Sequence, residues 1–257
     1  MRIFSHTCSN TEIVCALGCA GQLVGIDADS DYPPDVVAPL PKLGRDLNLD
    51  VDAVLALRPD IVLTSLTVPG HEKVVAGLQA HGLQTLICDP QSLDDVFADI
   101  QRIADRLDVA ARGKRLAADM QAAMPAVAVS GPRPRVLVEW WPKPVIVPAR
   151  HSWVNALIER AGGSNPLAQA DAKSVTLDPV RAQAIDPEAI VMSWCGVRVE
   201  KYRAEHVRLR CGWEDTAAVR NDRIYPISEE FLGRPGPRLV IGYRHLRAII
   251  ETLHRTP

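Results

Sequence analysis

Two adjacent tryptophans, Trp140 and Trp141, end a strand-like run of apolar residues and are followed at once by Pro142 and Pro144. Successive side chains of an extended chain point to opposite faces, so the two indole rings cannot share one environment. If one ring packs inside the protein, the other points outward, next to a loop whose backbone the two prolines restrict. A ring presented in this way buries a large apolar area of a flat ligand and stacks on it. The pair therefore predicts a binding site for a broad, conjugated molecule.

Further side chains that suit ligand binding follow other apolar runs along the chain. The carboxyl ends of parallel strands meet at one edge of a sheet, where α/β proteins bind their ligands. Only 5% of the residues are aromatic, so the recurrence of rings at these run ends is informative. We expect a ligand site that includes Cys8, Ser9, Tyr32, Ser65, Trp140, Trp141, Trp194, Cys195 and Phe231.

Cysteine and histidine side chains near the same loops raise the question of a metal. A thiolate of Cys8 or Cys195 could coordinate a cobalt or iron centre, although a cysteine at such a place is more often a small apolar filler. His6, His71 and His151 could offer axial nitrogen ligands, but no pair has the spacing of a metal site. We predict no resident metal and no required cofactor.

Short β-rich runs alternate with helical patterns along the whole chain. This alternation predicts an α/β protein with parallel sheets and helices on both faces. Strands are expected at 2–5, 23–27, 60–65, 84–89, 135–141, 145–148, 189–194 and 223–227, and helices near 10–19, 50–57, 72–81, 152–161, 177–184 and 237–254.

Residues 93–124 break this rhythm, because they keep apolar residues at helical spacing for about nine turns. The segment predicts one long helix. The sequences on its two sides echo each other: LALRPDIVLTS at 55–65 and QAIDPEAIVMSW at 183–194 each read as a helix end, a Pro-acid step and a buried strand. We predict an N-terminal α/β lobe at 1–92, a bridging helix at 93–124 and a C-terminal α/β lobe at 125–257.

Composition excludes several classes of partner. The net charge is -2 and no block of like charges occurs, so neither nucleic acid nor an anionic membrane surface is expected as a partner. No apolar stretch is long enough to span a bilayer. The six cysteines form no CxxC pair, which fits free thiols in a reducing compartment, and no secretion signal is visible. We therefore expect the protein in the cytoplasm, or in the periplasm or at the cell surface if a leader has been removed. We also expect a monomer.

Catalytic motifs are missing from the sequence. It contains no GxGxxG after the first strand, no Walker loop, no nucleophile elbow and no HExxH. Together with the expected binding site, this favours a non-enzymatic protein that binds a small molecule.

Five segments in order resemble the class III periplasmic binding proteins of ABC importers, and within them the cobalamin-binding branch. The segments are SNTEIVCALG at 9–18, SDYPPDVV at 30–37 with KLGRDLNLDVDAVLALRPDIVL at 42–63, the long helix, SWVNALIERAGGSNP at 152–166, and FLGRPGPRLVIGYRHL at 231–246. The resemblance implies two Rossmann-like lobes with parallel sheets, joined by one long α-helix, with a ligand held in the cleft between them.

The resemblance also assigns roles to charged residues. Cobalamin binders of the family use an acidic and a basic residue before the last helix, and Glu230 and Arg234 fall at those positions. One exposed glutamate on each lobe docks on arginines of the permease; Glu72 matches the first, and Glu200, or alternatively Glu205, matches the second. The ligand it implies is cobalamin or a related corrinoid.

Two alternatives use the same fold. A siderophore or haem binder would need cations for an anionic chelate, and Arg150, Arg198 and Arg234 could serve. A cytoplasmic enzyme or chaperone of corrinoid or tetrapyrrole metabolism could also reuse the scaffold, since fold alone does not determine function.

Overall fold

The structure, a computed structural model, describes residues 1–255 and divides into two compact units. Unit 1 comprises Met1–Pro90 and Asp95–Asp119, and unit 2 comprises Gln91–Asp94 and the chain from Met120 onward. Each unit has its own parallel sheet and its own helices. The predicted α/β class with parallel sheets is confirmed.

The first half of the chain alternates strands and helices. Its elements are β1 (Ile3–Ser5), α1 (Cys8–Ala16), β2 (Leu23–Ile26), α2 (Pro34–Val37), β3 (Gly44–Arg45), β4 (Asn48–Leu49), α3 (Val51–Ala56), β5 (Ile61–Ser65), α4 (His71–Ala80), β6 (Thr85–Cys88), α5 (Leu93–Arg106) and α6 (Ala110–Ala123), with a 3-10 turn at Ala20–Gln22.

The parallel sheet of unit 1 has the strand order β2-β1-β5-β6. Ile3 pairs with both Leu23 and Ile61, so β1 lies in the middle of the sheet. Its strands are near-continuous apolar runs because helices cover a parallel sheet on both faces. Because β1 and β5 pair in parallel, their carboxyl ends lie side by side. The loops that follow the two strands therefore begin at the same edge of the sheet.

The segment predicted as one unbroken helix forms two helices, α5 and α6, so that prediction was wrong. Asp108 has a φ of 61°, a left-handed conformation that ends a helix. The amide of Val109 donates to the carbonyl of Ala104 (2.9 Å). A Cβ at Gly113 would lie 2.5 Å from the Cβ of Ala104, nine residues away. In a straight helix these positions would be about 13 Å apart, so α6 folds back onto α5.

The second half of the chain contains a parallel and an antiparallel sheet. Its elements are β7 (Val136–Glu139), β8 (Trp141–Pro142), β9 (Val145–Pro148), α7 (Val154–Arg160), β10 (Ser174–Thr176), α8 (Pro179–Ile185), β11 (Ala189–Met192), α9 (Glu205–Arg208), α10 (Ala217–Arg220), β12 (Ile224–Pro226), α11 (Glu229–Leu232) and α12 (Leu239–Arg255), with a 3-10 turn at Val199–Lys201.

In unit 2 the parallel sheet has the order β12-β11-β7, and the antiparallel sheet has the order β10-β9-β8. Each of the predicted strands contains a strand of the structure, and the run 135–141 divides into β7 and β8. The short strands β3, β4 and β10 were not predicted. Leu137, Ile190, Trp194 and Trp213 belong to the buried core of this unit. Within residues 1–255, no helix combines the length and apolar composition that crossing a bilayer requires.

Candidate functional site

Buried hydroxyl groups gather at the carboxyl ends of β1 and β5 in unit 1. Thr7 Oγ1 lies 3.0 Å from Ser65 Oγ and 3.2 Å from Ser9 Oγ, and the side-chain amide of Asn10 donates to Ser65 Oγ (3.2 Å). Ser9 and Ser65, which the sequence predicted as ligand contacts, are buried and have their hydroxyls engaged within this network. These hydrogen bonds help to fix the loop between β1 and α1.

The carboxylate of Asp27 holds the backbone of the same loop. It accepts hydrogen bonds from the amides of Thr7 (3.0 Å), Asp29 (2.9 Å) and Ser30 (3.0 Å), and from Ser30 Oγ (2.7 Å). Thr7 has a φ of 81°, which a β-branched residue adopts only when its surroundings impose it. The loop that leads into α1 is therefore rigid before any ligand arrives.

Two predicted contact residues of unit 1 reach the surface. Tyr32 is 42% exposed and precedes α2. Cys8 is partly buried, and its thiol donates to the carbonyl of Asp29 (3.1 Å). The phenol ring of Tyr32 is thus the aromatic surface that unit 1 offers among the predicted residues.

Glu72 lies in the first turn of α4 and is exposed. Hydrogen bonds from its own backbone amide and from the amide of Gly70, which donates to Glu72 Oε2 (3.0 Å), lower the pKa of this carboxyl. Glu200 is also exposed, on the 3-10 turn Val199–Lys201 of unit 2. Both side chains are placed where a protein partner can reach them.

His6 and His71, considered above as axial ligands, are 0% and 1% exposed and contact Asp46 in unit 1. His71 Nε2 lies 2.9 Å from Asp46 Oδ1, and His6 Nε2 lies 2.7 Å from the Asp46 carbonyl. Burial lowers the pKa of His6. Burial alone raises the pKa of Asp46, but the hydrogen bond and charge of His71 outweigh it, and the pKa is lowered. The two imidazoles are not available to a bulky chelate.

The adjacent tryptophans of unit 2 occupy different environments. Trp140 is partly buried, and its amide donates to the carbonyl of Ile146 (2.8 Å). Trp141 is 40% exposed on the hairpin of β8 and β9, and its Nε1 donates to the carbonyl of Lys143 (2.9 Å). The indole of Trp141 is therefore held in place while part of the ring faces outward.

Trp194 lies inside unit 2, with 3% of its surface exposed. Its Nε1 donates to Oε2 of the buried Glu139 (3.3 Å), and its ring packs 5.0 Å from that of Tyr202. The strand expected to end at Trp194 ends at Met192, and the ring of Trp194, predicted as a ligand contact, forms part of the core of unit 2.

The segment around α11 carries the predicted acidic and basic residues. Arg234 donates to Glu229 (3.0 Å) and Arg238 donates to Glu230 (2.6 Å). The guanidinium of Arg238 lies 5.5 Å from the ring centre of Phe231, which is partly exposed. Glu230 and Arg234 are thus each neutralised by a neighbour of opposite charge.

Cys195 follows β11 in unit 2. The residue is exposed, yet desolvation, followed by the charge of Glu229, raises the pKa of its thiol to about 12. The thiol therefore stays protonated at neutral pH and is a poor metal ligand there.

Comparison with known proteins identifies a family whose sequence profile this chain matches. The sequence profile of the family described as periplasmic binding protein matches residues 3–230, which confirms the predicted resemblance. An ABC transporter substrate-binding lipoprotein of Bacillus subtilis, YvrC, is 26% identical over 254 residues, covering 95% of this chain and 78% of that protein. A vitamin B12-binding protein of Vibrio parahaemolyticus is 23% identical over 254 residues, covering 97% and 87%.

Solved structures share the fold. The periplasmic haem-binding protein RhuT of Roseiflexus sp. RS-1, in its apo form, superposes with a TM-score of 0.81 at 29% identity, covering 97% of each chain.

Proposed function

Because the chain belongs to the periplasmic binding protein family, we propose that it is the substrate-binding component of an ABC importer and that its ligand is cobalamin or a related corrinoid. The observation that carries the proposal is the outward-facing ring of Trp141 on a hairpin whose shape is fixed. In this role the protein binds its ligand without chemical change and acts outside the cytoplasmic membrane.

The exposed aromatic rings supply the main attraction. A tryptophan presents about 150–250 Å² for burial, so covering the exposed part of Trp141 stabilises a complex by about 2 kcal/mol at 25 cal/mol per Å². Tyr32 offers a second exposed ring in unit 1. The ring of Trp141 is already held by its hydrogen bond to Lys143, which keeps the entropy loss on association small.

Two observations favour a corrinoid over an anionic iron chelate. His6 and His71 are buried and bonded to Asp46, so neither can supply a nitrogen ligand to the iron of a bulky chelate. Arg234 is paired with Glu229, which reduces the positive charge available to a siderophore. A cobalamin brings its own axial base and has little net charge to neutralise.

Haem is the second candidate, and the similarity to RhuT supports it. A haem iron takes a tyrosine as its axial ligand in some proteins, and Tyr32 has an exposed phenol. Arg150 and Arg198, which the sequence suggested as cations for an anionic chelate, are both exposed.

A binding panel separates these candidates. Purified protein, dialysed free of ligand, is titrated with cyanocobalamin, cobinamide, haemin and a ferric hydroxamate siderophore by calorimetry. The proposal expects saturable binding of one corrinoid per chain and no comparable heat from the other ligands. Tight binding of haemin that Tyr32→Phe abolishes, with no response to either corrinoid, would establish the haem alternative instead.

A further inference from the structure

Three side chains from distant parts of unit 1 converge on one point below its surface. His6 follows β1, Asp46 lies in the turn between β3 and β4, and His71 begins α4. The side-chain nitrogen and oxygen ligand atoms of these residues all lie within 4.8 Å of one another. Asp46 Oδ1 is 2.9 Å from His71 Nε2 and 3.5 Å from His6 Nε2.

The spacing suits a single small cation. Four-coordinate zinc binds imidazole nitrogen and carboxylate oxygen at about 2.0–2.2 Å, which places neighbouring ligand atoms about 3.4 Å apart. Two imidazoles bound through Nε2 to one such ion have ring centres about 5 Å apart. The rings of His6 and His71 are 5.3 Å apart, at an angle of 68°.

We propose that His6 Nε2, His71 Nε2 and Asp46 Oδ1 form a binding site for one zinc-class divalent cation inside unit 1. Two imidazoles and one carboxylate are a ligand set that zinc and its neighbours in the first transition row favour. None of these three residues is among the predicted corrinoid contacts. The bound ion ties the end of β1 to the β3–β4 turn and to the start of α4.

The surroundings of the ligands meet two further requirements of a metal site. His6 Nδ1 lies 2.8 Å from Thr64 Oγ1, a second partner that fixes the ring and can accept a hydrogen bond from it. The side chain of Asp46 is 32% exposed, which gives an ion and one water ligand a path from solvent. The amide of Asp46 donates to Asp29 Oδ2 (3.0 Å), which holds the turn in place.

Ion binding must move the proton of each imidazole from Nε2 to Nδ1 and break three hydrogen bonds. Without the ion, His6 Nε2 donates to the Asp46 carbonyl and His71 Nε2 donates to Asp46 Oδ1. A neutral His71 bound through Nε2 carries its proton on Nδ1, where the amide of Val68 now donates across 3.4 Å. These two N–H groups repel, so the Val68 amide must lose this contact when the ion binds.

The test is zinc binding to protein freed of metal with a chelator and then dialysed. Calorimetry and elemental analysis should give one zinc per chain in wild type, and the unfolding midpoint should rise by about 5 °C at a zinc concentration of about 100 times Kd. Asp46→Asn and His71→Gln should lose the stoichiometric ion and the thermal shift. His151→Gln, which removes the surface pair of His151 with Asp171 (2.8 Å), should retain both.

A measurement on the wild type alone keeps the proposal testable if a variant does not fold. Zinc should shift the NMR signal of the Val68 amide, and cobalt(II) in place of zinc should give the visible absorption of a tetrahedral site. Equal zinc binding by wild type, Asp46→Asn and His71→Gln would place the ion elsewhere on the chain and overturn the proposal. So would the absence of bound zinc in wild type.

Discussion

Arg210 donates to Glu139 across 2.5 Å at the carboxyl end of β7. Glu139 is completely buried, and its second oxygen accepts hydrogen bonds from Trp194 (3.3 Å) and from Arg210 (3.2 Å). The guanidinium of Arg210 also lies 4.5 Å from the ring centre of Trp213. This pair fixes the strand end from which the Trp140–Trp141 segment starts.

Loss of Arg210 is therefore expected to destabilise unit 2 strongly. Arg210→Met leaves the carboxylate of Glu139 buried without its cation, which costs about 3–5 kcal/mol in the free energy of unfolding. Urea unfolding measured by tryptophan fluorescence checks this value. Arg208→Met, which removes a surface arginine paired with Asp222 and Glu205, should leave stability nearly unchanged. Equal effects of the two substitutions would show that the buried pair has no special role.

A matched pair of helix glycines tests the contact between α5 and α6. A Cβ at Gly113 would meet the Cβ of Ala104 at 2.5 Å. Gly113→Ala should therefore destabilise the protein by about 1–3 kcal/mol in spite of the better helix propensity of alanine. A Cβ at Gly77 in α4 would be 3.7 Å from Val51 Cγ2, an ordinary contact. Gly77→Ala should stabilise by about 0.5–1 kcal/mol. Thermal unfolding of both variants measures these changes in stability. Stabilisation by Gly113→Ala would contradict the folded-back arrangement of α5 and α6.

Stability should fall in alkaline solution. Burial, followed by the charge of Asp99, raises the pKa of the Cys88 thiol far above its ordinary value of 9.0. Above about pH 9 the unfolded chain loses this proton while the folded chain keeps it, so the free energy of unfolding falls as pH rises. The pKa of Cys15 is raised to about 11, first by burial and then by Glu12, and this shift acts in the same direction.

Urea unfolding between about pH 8 and 10, under reducing conditions, measures this dependence. Cys88→Ala should remove up to about 1.4 kcal/mol per pH unit from the slope. Cys211→Ala, at an exposed thiol, should leave the slope as it is. A slope that Cys88→Ala does not change would mean that Cys88 ionises in the folded protein.

Docking on a permease should depend on the exposed glutamates. Glu72→Arg and Glu200→Arg place a positive charge where the proposed partner carries arginines, and like charges at an interface cost several kcal/mol. Transport assays with the importer that this protein is proposed to serve should show a large loss for each variant, while ligand binding in solution is retained. Glu214→Arg changes another exposed glutamate and should transport normally. Normal transport by both docking variants would show that Glu72 and Glu200 do not lie in the interface with the permease.

The sequence predicted the longer elements well, because apolar runs of β-branched residues and helical periodicity are local properties. It failed at residues 107–109, since α5 and α6 each keep an apolar face and Asp108, rather than a glycine, adopts the left-handed conformation. The strands β3 and β4 have two residues each, too short for any alternation to be visible.

The candidate sites depended on tertiary placement that local patterns do not contain. His6, Asp46 and His71 are separated by 40 and 25 residues, and only the strand order and the β3–β4 turn bring them together. Trp194 and Trp141 both follow strands, yet the hydrogen bond to Glu139 keeps the first ring in the core while the hairpin holds the second outside. Sequence position alone could not distinguish them.

Calorimetric titration of wild type and Trp141→Ala with cyanocobalamin tests the central claim most directly. Wild type should bind one equivalent, and Trp141→Ala should bind about 30-fold more weakly, which is the loss of about 2 kcal/mol of buried ring area. Val180→Ala, at another exposed apolar residue of unit 2, should bind as wild type does. Unchanged affinity in Trp141→Ala, or no binding of any corrinoid by wild type, would contradict the account.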